Sequence, residues 1–150
     1  MRKQPTALEL LGEPDVIVGL RCAYKESGIG TDCPIEQGGF ILLDPVLDTF
    51  EVFRLAACGP DLLAYPICAD GTYRGKQIVA SFHTHPNTGP EWRQQPSLQD
   101  IRLSQDYPET VGPHQFVIAM ETIYHIDNDG VVSEIGPTSQ LLRINEDRLK

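Results

Sequence analysis

Two histidines, His83 and His85, stand two residues apart at the end of an apolar run, 78–83, and Pro86 follows them. The run predicts a strand, and the side chains of a strand alternate between its two faces. Both imidazoles therefore project to one side, where they could bind the same metal ion. Because H-x-H also occurs by chance, two structural histidines are the alternative. The alternation predicts one face with Ile78, Ala80, Phe82 and Thr84, and another with Val79, Ser81 and both histidines.

Ser97 and Asp100 are three residues apart at the start of a predicted helix, 97–105, which follows Pro96. Residues at this spacing share a helix face, so both side chains can point the same way. The pattern is also typical of a capping box, in which the two side chains satisfy backbone N–H groups at the helix start. The two roles are compatible, because Ser97 can cap the helix while Asp100 faces a metal ion.

His83, His85 and Asp100 together offer the nitrogen and oxygen ligands that zinc prefers. Three protein ligands leave a fourth position for water, which is typical of a catalytic site and lowers the pKa of that water toward about 7. A nearby carboxylate could then accept the proton of the water. Glu36 lies just before an apolar run at 39–43 and is the candidate base. An ordinary glutamate at a loop edge is the alternative for Glu36.

The remaining patterns predict the elements that position these side chains. Residues 1–14 are predicted to form a loose arm, and Asp15 to cap a helix that runs to about Glu26. A strand is the alternative for this segment, because it contains a run of β-branched residues. Hairpins and helices in the predicted order favour an α+β or mixed α/β fold. The other predicted elements are strands at 39–43, 50–55, 115–120, 122–126 and 131–135, an irregular connection at 56–77, a loop at 86–96 and a closing helix at 138–149.

Length and composition indicate a single domain, 1–150, with the motif-bearing core at about 15–136. The formal net charge of -9 makes nucleic acid a poor candidate partner. No apolar stretch approaches the roughly 20 residues of a membrane helix. No signal peptide is recognisable, so we expect a cytoplasmic protein. The four cysteines form no C-x-x-C pair, and we expect reduced thiols, several of them in the core; disulfides would require another compartment.

Separate segments of this chain resemble the motif of the JAMM metallopeptidases, which are also called MPN-plus or JAB-like, and they occur in the right order. The segments are Glu36-x-x-Gly39 before an apolar strand, then His83-Thr84-His85-Pro86, then Ser97-x-x-Asp100. The resemblance spans about 36–100, with similar strand-and-turn character at 115–135. The chain differs from the family in one respect, because residues 86–96 form a longer spacer than is usual.

The resemblance implies a curved, mostly antiparallel β-sheet flanked by helices. It implies one zinc ion per chain, with His83, His85 and Asp100 as ligands. Glu36 would activate the zinc-bound water, and Ser97 would donate a hydrogen bond to the developing oxyanion. The implied reaction is hydrolysis of a peptide or isopeptide bond. The implied substrate is a ubiquitin-like protein or its conjugate.

Further candidates are weaker. Gly38, Gly39 and Trp92 are candidates for substrate contact, because a peptide tail needs an extended groove and exposed aromatic side chains often anchor partners. Packing is the alternative role for Trp92. Glu26 is a second candidate base, but no buried strand follows it.

Other functions stay open, and another metal-dependent hydrolase is one of them. A metal-free relative could serve as a binding scaffold, although such relatives usually lose ligands that this chain keeps. Two histidines and one carboxylate also form the facial triad of iron oxygenases, a scheme with no natural place for Glu36 and Ser97. The residues do not identify the substrate or the oligomeric state. His114 and His125 are expected to be structural or surface residues.

Overall fold

The computed structural model describes residues 4–55, 57–59, 62–63, 65–86, 88 and 94–144. Within these residues the chain has a mixed α+β fold, as the sequence predicts. The helices are α1 (Ala7–Leu11), α2 (Pro14–Glu26), α3 (Leu98–Asp106), α4 (Pro108–Val111) and α5 (Thr138–Leu141). The strands are β1 (Gly38–Asp44), β2 (Thr49–Leu55), β3 (Ala57–Gly59), β4 (Leu62–Leu63), β5 (Thr72–Tyr73), β6 (Lys76–Thr84), β7 (Gln115–Ile118), β8 (Thr122–Ile126) and β9 (Val132–Pro137).

An open sheet organises the described part of the chain, with strand order β2-β1-β6-β7-β8-β9 and with β5 paired to β6. The pairings in this seven-stranded sheet are antiparallel except that of β6 with β7. Parallel neighbours need a long crossover connection, and here the crossover contains α3 and α4. It brings the first turn of α3 to the carboxyl end of β6, where the two histidines lie.

Helices α1 and α2 cover one face of the sheet. Pro14 at the first position of α2 and Lys25 in its last turn are both favourable there. The buried side chains of α2 recur at helical spacing, and Gly19 lets the helix approach β2 because a Cβ at Gly19 would clash with Val52. The cluster under these helices is Leu10, Leu11, Val16, Leu20, Ala23, Ile41, Leu43, Phe50, Val79, Ala80, Phe82, Phe116, Ile118, Ile123, Leu142 and Ile144.

The opposite face of the sheet carries the candidate site. Tyr65 and Tyr73 pack against Phe40 there, with ring centroids 5.6 and 5.1 Å away. Ile101 of α3 packs over the neighbouring strands β7 and β8. Two smaller clusters of buried residues result, one with Phe40, Leu42, Cys68 and Ile78, the other with Val117, Ala119, Tyr124 and Ile126.

A β-bulge in β6 corrects part of the predicted alternation. Ile41 pairs with Ala80, but Leu42 pairs with Ile78, so Val79 is the extra residue. Val79 and Ala80 both belong to the cluster under α1 and α2, whereas Ile78 packs on the opposite face. The predictions that Ile78 shares a face with Ala80 and that Val79 shares one with the histidines are therefore wrong, because a bulge resets the period-two pattern.

Two predictions near the amino end are also wrong. The predicted loose arm, 1–14, contains α1, because the side chains of Thr6 and Glu9 form a capping box with each other's backbone N–H groups. Asp15 lies in the first turn of α2 instead of capping it, and Glu13 occupies the cap position.

Elsewhere the predicted elements are largely present. The strands predicted at 39–43 and 50–55 form an antiparallel hairpin, and the helix predicted at 97–105 is α3. The irregular connection at 56–77 contains only short strands in its described part. The sequence did not predict α4. The closing helix predicted at 138–149 is present as α5, which ends at Leu141, and residues 145–149 lie outside the described residues. In the described residues, no helix combines the length and apolarity that a membrane crossing requires.

We expect Gly39→Ala to destabilise the fold by about 1–3 kcal/mol, because overpacking a tight contact has this cost. A Cβ at Gly39 would collide with the backbone carbonyl of Phe53 on β2. Gly12→Ala is the matched control, because its nearest neighbours would lie 3.5 Å away and the Gly12 φ is -94°. Urea unfolding of both variants measures the effect. Equal stabilities for the two would contradict the packing described here.

Candidate metal centre

The site forms where β6 ends beside α3. The backbone N–H of His85 donates to the carbonyl of Ile118 at 2.9 Å, which continues the parallel pairing of β6 and β7 past His83. Both histidines are thereby held at the carboxyl end of β6, and Asp100 reaches them from the first turn of α3. The structure thus brings together all three predicted metal ligands.

The three side chains converge closely. His83 Nε2 lies 3.2 Å from Asp100 Oδ1, and His85 Nε2 lies 3.3 Å from Asp100 Oδ2. Each residue offers one ligand atom such that the three atoms lie within 4.8 Å of one another. Ligand atoms at about 2.0–2.2 Å from a tetrahedral zinc ion lie roughly 3.3–3.6 Å apart. The arrangement can therefore hold a metal ion.

The contacts of the imidazoles fit the same role. The Nδ1 of His85 lies 3.2 Å from the backbone carbonyl of Gln94, which can only accept, so Nδ1 is the donor in this contact. Such a contact orients a metal-binding imidazole. His83 Nε2 is buried without a well-formed hydrogen bond among the described residues, despite its closeness to Asp100. A buried nitrogen in this condition is costly unless it has another partner, and a cation would supply one.

The charges around the site favour a cation. Burial raises the pKa of Tyr65, and the negative charges of Glu36 and Asp100 raise it further. Burial lowers the pKa of His83, but the Asp100 carboxylate and the charge of Glu36 outweigh burial, so the pKa is raised. Burial raises the pKa of Asp100, but the contacts with both imidazoles hold it well below its usual range. Two carboxylates therefore impose a negative potential on the pocket.

The capping alternative for Ser97 and Asp100 is also confirmed. Asp100 N donates to Ser97 Oγ at 3.1 Å, and Ser97 N donates to Asp100 Oδ2 at 2.8 Å. The capping box fixes the rotamer of the carboxylate that faces the histidines. Ser97 Oγ uses only an acceptor lone pair in this box, so its O–H remains available to donate. The capping role of Asp100 is thus compatible with its role as a candidate metal ligand.

Glu36 lies at the mouth of the site, next to a residue that is tightly held. Gln37 N donates to Thr84 Oγ1 at 3.0 Å, and Thr84 N donates to the Gln37 carbonyl at 2.8 Å. Arg54 also donates to Gln37 Oε1 at 2.5 Å and to Glu26 Oε2 at 2.5 Å. Thr84, which lies between the two histidines, thereby holds Gln37, which follows Glu36, through two hydrogen bonds. Glu26 accepts from Arg54 outside the pocket and is absent from the pocket lining.

A pocket of about 560 Å³ opens over the three ligands and Glu36. It extends along α3 toward α4, with Arg102 and Asp106 as further charged residues. Tyr65, whose hydroxyl donates to the carbonyl of Phe82 at 2.6 Å, was not predicted, because its contacts are distant in sequence. The remaining described lining residues are Ile67, Ser97, Gln99, Leu103, Tyr107 and Thr110.

Gly38 and Gly39 are absent from this pocket lining. Gly38 and Gly39 are buried in β1, where Gly38 pairs with Leu55 and with His83, and their contact with substrate stays a prediction. Trp92 lies outside the described residues. His114 and His125 have structural contacts, as expected. His114 Nδ1 lies 2.8 Å from His125 Nε2, and His114 Nε2 lies 2.8 Å from the Pro5 carbonyl.

The cysteines are free in the described residues, but only partly as predicted. Cys68 is buried, whereas Cys22 and Cys33 are exposed. The expectation that several thiols lie in the core therefore holds for Cys68 alone among these three. The side chain of Cys58 lies outside the described residues.

Neither a scan against protein-family models nor searches of curated proteins and of solved structures found a match for this chain. The function is therefore inferred from the site.

We expect Ser97→Ala to lower the free energy of unfolding by about 0.5–2 kcal/mol, because loss of an N-cap has this cost. Ser97→Asp should recover most of this stability, since an aspartate accepts the same backbone N–H. Thermal unfolding of the metal-free variants measures both effects. Equal stability of Ser97→Ala and the unaltered chain would show that the cap does not hold the first turn of α3.

Proposed function

We propose that this protein is a zinc-dependent metallopeptidase of the JAMM type, which hydrolyses a peptide or isopeptide bond. The observation that carries the proposal is the convergence of His83, His85 and Asp100 in the pocket that Glu36 and Ser97 also line. Iron oxygenases use the same three ligand types. A separate carboxylate and a hydroxyl donor in the same pocket favour hydrolysis.

Each residue has a distinct part in the proposed reaction. A zinc ion held by the three ligands would supply Lewis-acid chemistry, which acidifies water and polarises a carbonyl. Glu36 accepts the proton of the attacking water and passes it to the leaving amine. The Ser97 O–H donates to the carbonyl oxygen as negative charge develops there. The hydrogen bonds between Gln37 and Thr84 keep the neighbouring Glu36 at the pocket. The Glu36 carboxylate therefore needs little movement before proton transfer.

The fold is compatible with the JAB-like sheet that the motif implies. The described chain has a mostly antiparallel sheet with helices on both faces, and the two motif histidines lie at the end of one central strand. By this resemblance we further propose a ubiquitin-like protein, or its conjugate, as the substrate. The pocket is open along α3, as a site must be if a chain is to reach the metal.

We expect Glu36→Gln to reduce hydrolysis by about 10²–10⁴-fold, the usual contribution of a general base. The amide cannot accept the proton, but the three metal ligands are unchanged, so bound zinc should persist. The assay compares a linear fusion of a ubiquitin-like domain to a reporter with the same pair joined through a lysine side chain. Bound zinc is measured in parallel by elemental analysis.

Glu26→Gln is the matched control, because Glu26 is the other candidate base and contacts Arg54 instead of lining the pocket. We expect this variant to keep hydrolysing the same substrate. Full activity of Glu36→Gln, or loss of activity only in Glu26→Gln, would contradict the assignment of the base.

A further inference from the structure

The helix that carries Asp100 has few apolar contacts with the sheet beneath it. Of the nine residues of α3, only Ser104 is buried, and Ile101 is partly buried against the β7–β8 cluster. Burial of apolar surface alone therefore holds this helix weakly. Since the metal ligands on β6 are fixed by the sheet, the position of Asp100 depends on what attaches α3 to it.

A buried side chain from β7 provides that attachment. Gln115 is fully buried, and its Nε2 donates to the Asp100 backbone carbonyl at 2.9 Å and to Ser104 Oγ at 2.6 Å. The orientation of the amide follows from these partners, because the Asp100 carbonyl can only accept. Gln115 thus contacts α3 at the backbone of Asp100 and again one turn later, at Ser104.

Gln115 also lies directly beside the strand that carries the histidines. It pairs with Ser81 across the parallel β6–β7 ladder, and Ser81 precedes His83 by two residues on the same strand face. One strand pairing and one side chain therefore link the histidines to the helix of Asp100.

The polar residues at this place are costly to the fold. Gln115 Oε1 and Ser81 Oγ are buried and have no hydrogen-bond partner among the described residues. An unsatisfied buried polar atom is destabilising, whereas an apolar side chain of similar size would fill the space without that cost. Gln115 is thus better explained by the placement of α3 than by stability.

We propose that Gln115 is a positioning residue of the metal site, whose amide holds the first turn of α3 so that the Asp100 carboxylate meets both imidazoles. The inference rests on the metal site of the proposed function. It predicts a larger effect of Gln115 on metal affinity than on folding, because outer contacts of metal ligands change affinity by about 10–100-fold.

The test is Gln115→Met, which keeps the length of the side chain and removes its donor. We expect zinc affinity, measured by competition with a chromophoric chelator, to fall by about 10–100-fold. The visible absorption of the cobalt-substituted protein should change as well, since it reports the arrangement of the ligands. Circular dichroism verifies that the variant is folded.

Thr138→Val is the matched control, because buried Thr138 donates to the backbone carbonyl of Ala119 at 2.8 Å and has no place in the metal site. We expect this variant to bind zinc like the unaltered chain. Unchanged affinity in Gln115→Met, or an equal loss in Thr138→Val, would overturn the inference.

Ser104→Ala keeps the inference testable if Gln115→Met does not fold. It removes one of the two acceptors, so we expect a smaller but measurable loss of zinc affinity, and no loss would overturn the inference. If the unaltered chain bound no zinc, both the inference and the metal site would be wrong. If it bound zinc without hydrolysing any fusion, only the proposed function would fail, because the affinity comparison needs no turnover.

Discussion

The parallel pairing of β6 with β7 is the constraint on which the site depends. Parallel strands cannot be joined by a tight turn, so the chain must leave the sheet and return. The crossover contains α3, whose first turn lies beside the end of β6. Asp100 therefore faces His83 and His85 from a different element of the chain.

The same short region concentrates negative charge around a buried imidazole. Burial alone would lower the pKa of His83, but the Asp100 carboxylate and the charge of Glu36 raise it. Buried charges are expensive unless they are paired or bind a metal. Titratable groups with shifted pKa values cluster at functional sites. The negative charges that favour a protonated imidazole would also favour a cation at the three ligand atoms.

Local patterns predicted much of this arrangement. A continuous apolar run was sufficient to predict β1. Period-two and cap signals were sufficient for β2, α3 and the shared projection of His83 and His85, because these depend on neighbouring residues alone. The bulge at Val79 was not predictable, since it appears only when β6 pairs with β1. Gln115 gave no signal either, because a glutamine at the start of an apolar strand acquires its role only from the helix packed above it. Substrate and partner depend on contacts outside the chain, so they remain proposals.

The most direct test of the metal site is the zinc content of purified protein, measured by elemental analysis after zinc loading and removal of free metal. The three converging ligands predict about one zinc ion per chain, and His85→Ala should lose it. His125→Ala should retain zinc, since His125 contacts His114 on the sheet and not the pocket. A folded protein that binds no zinc, or one whose zinc persists in His85→Ala, would contradict the site described here.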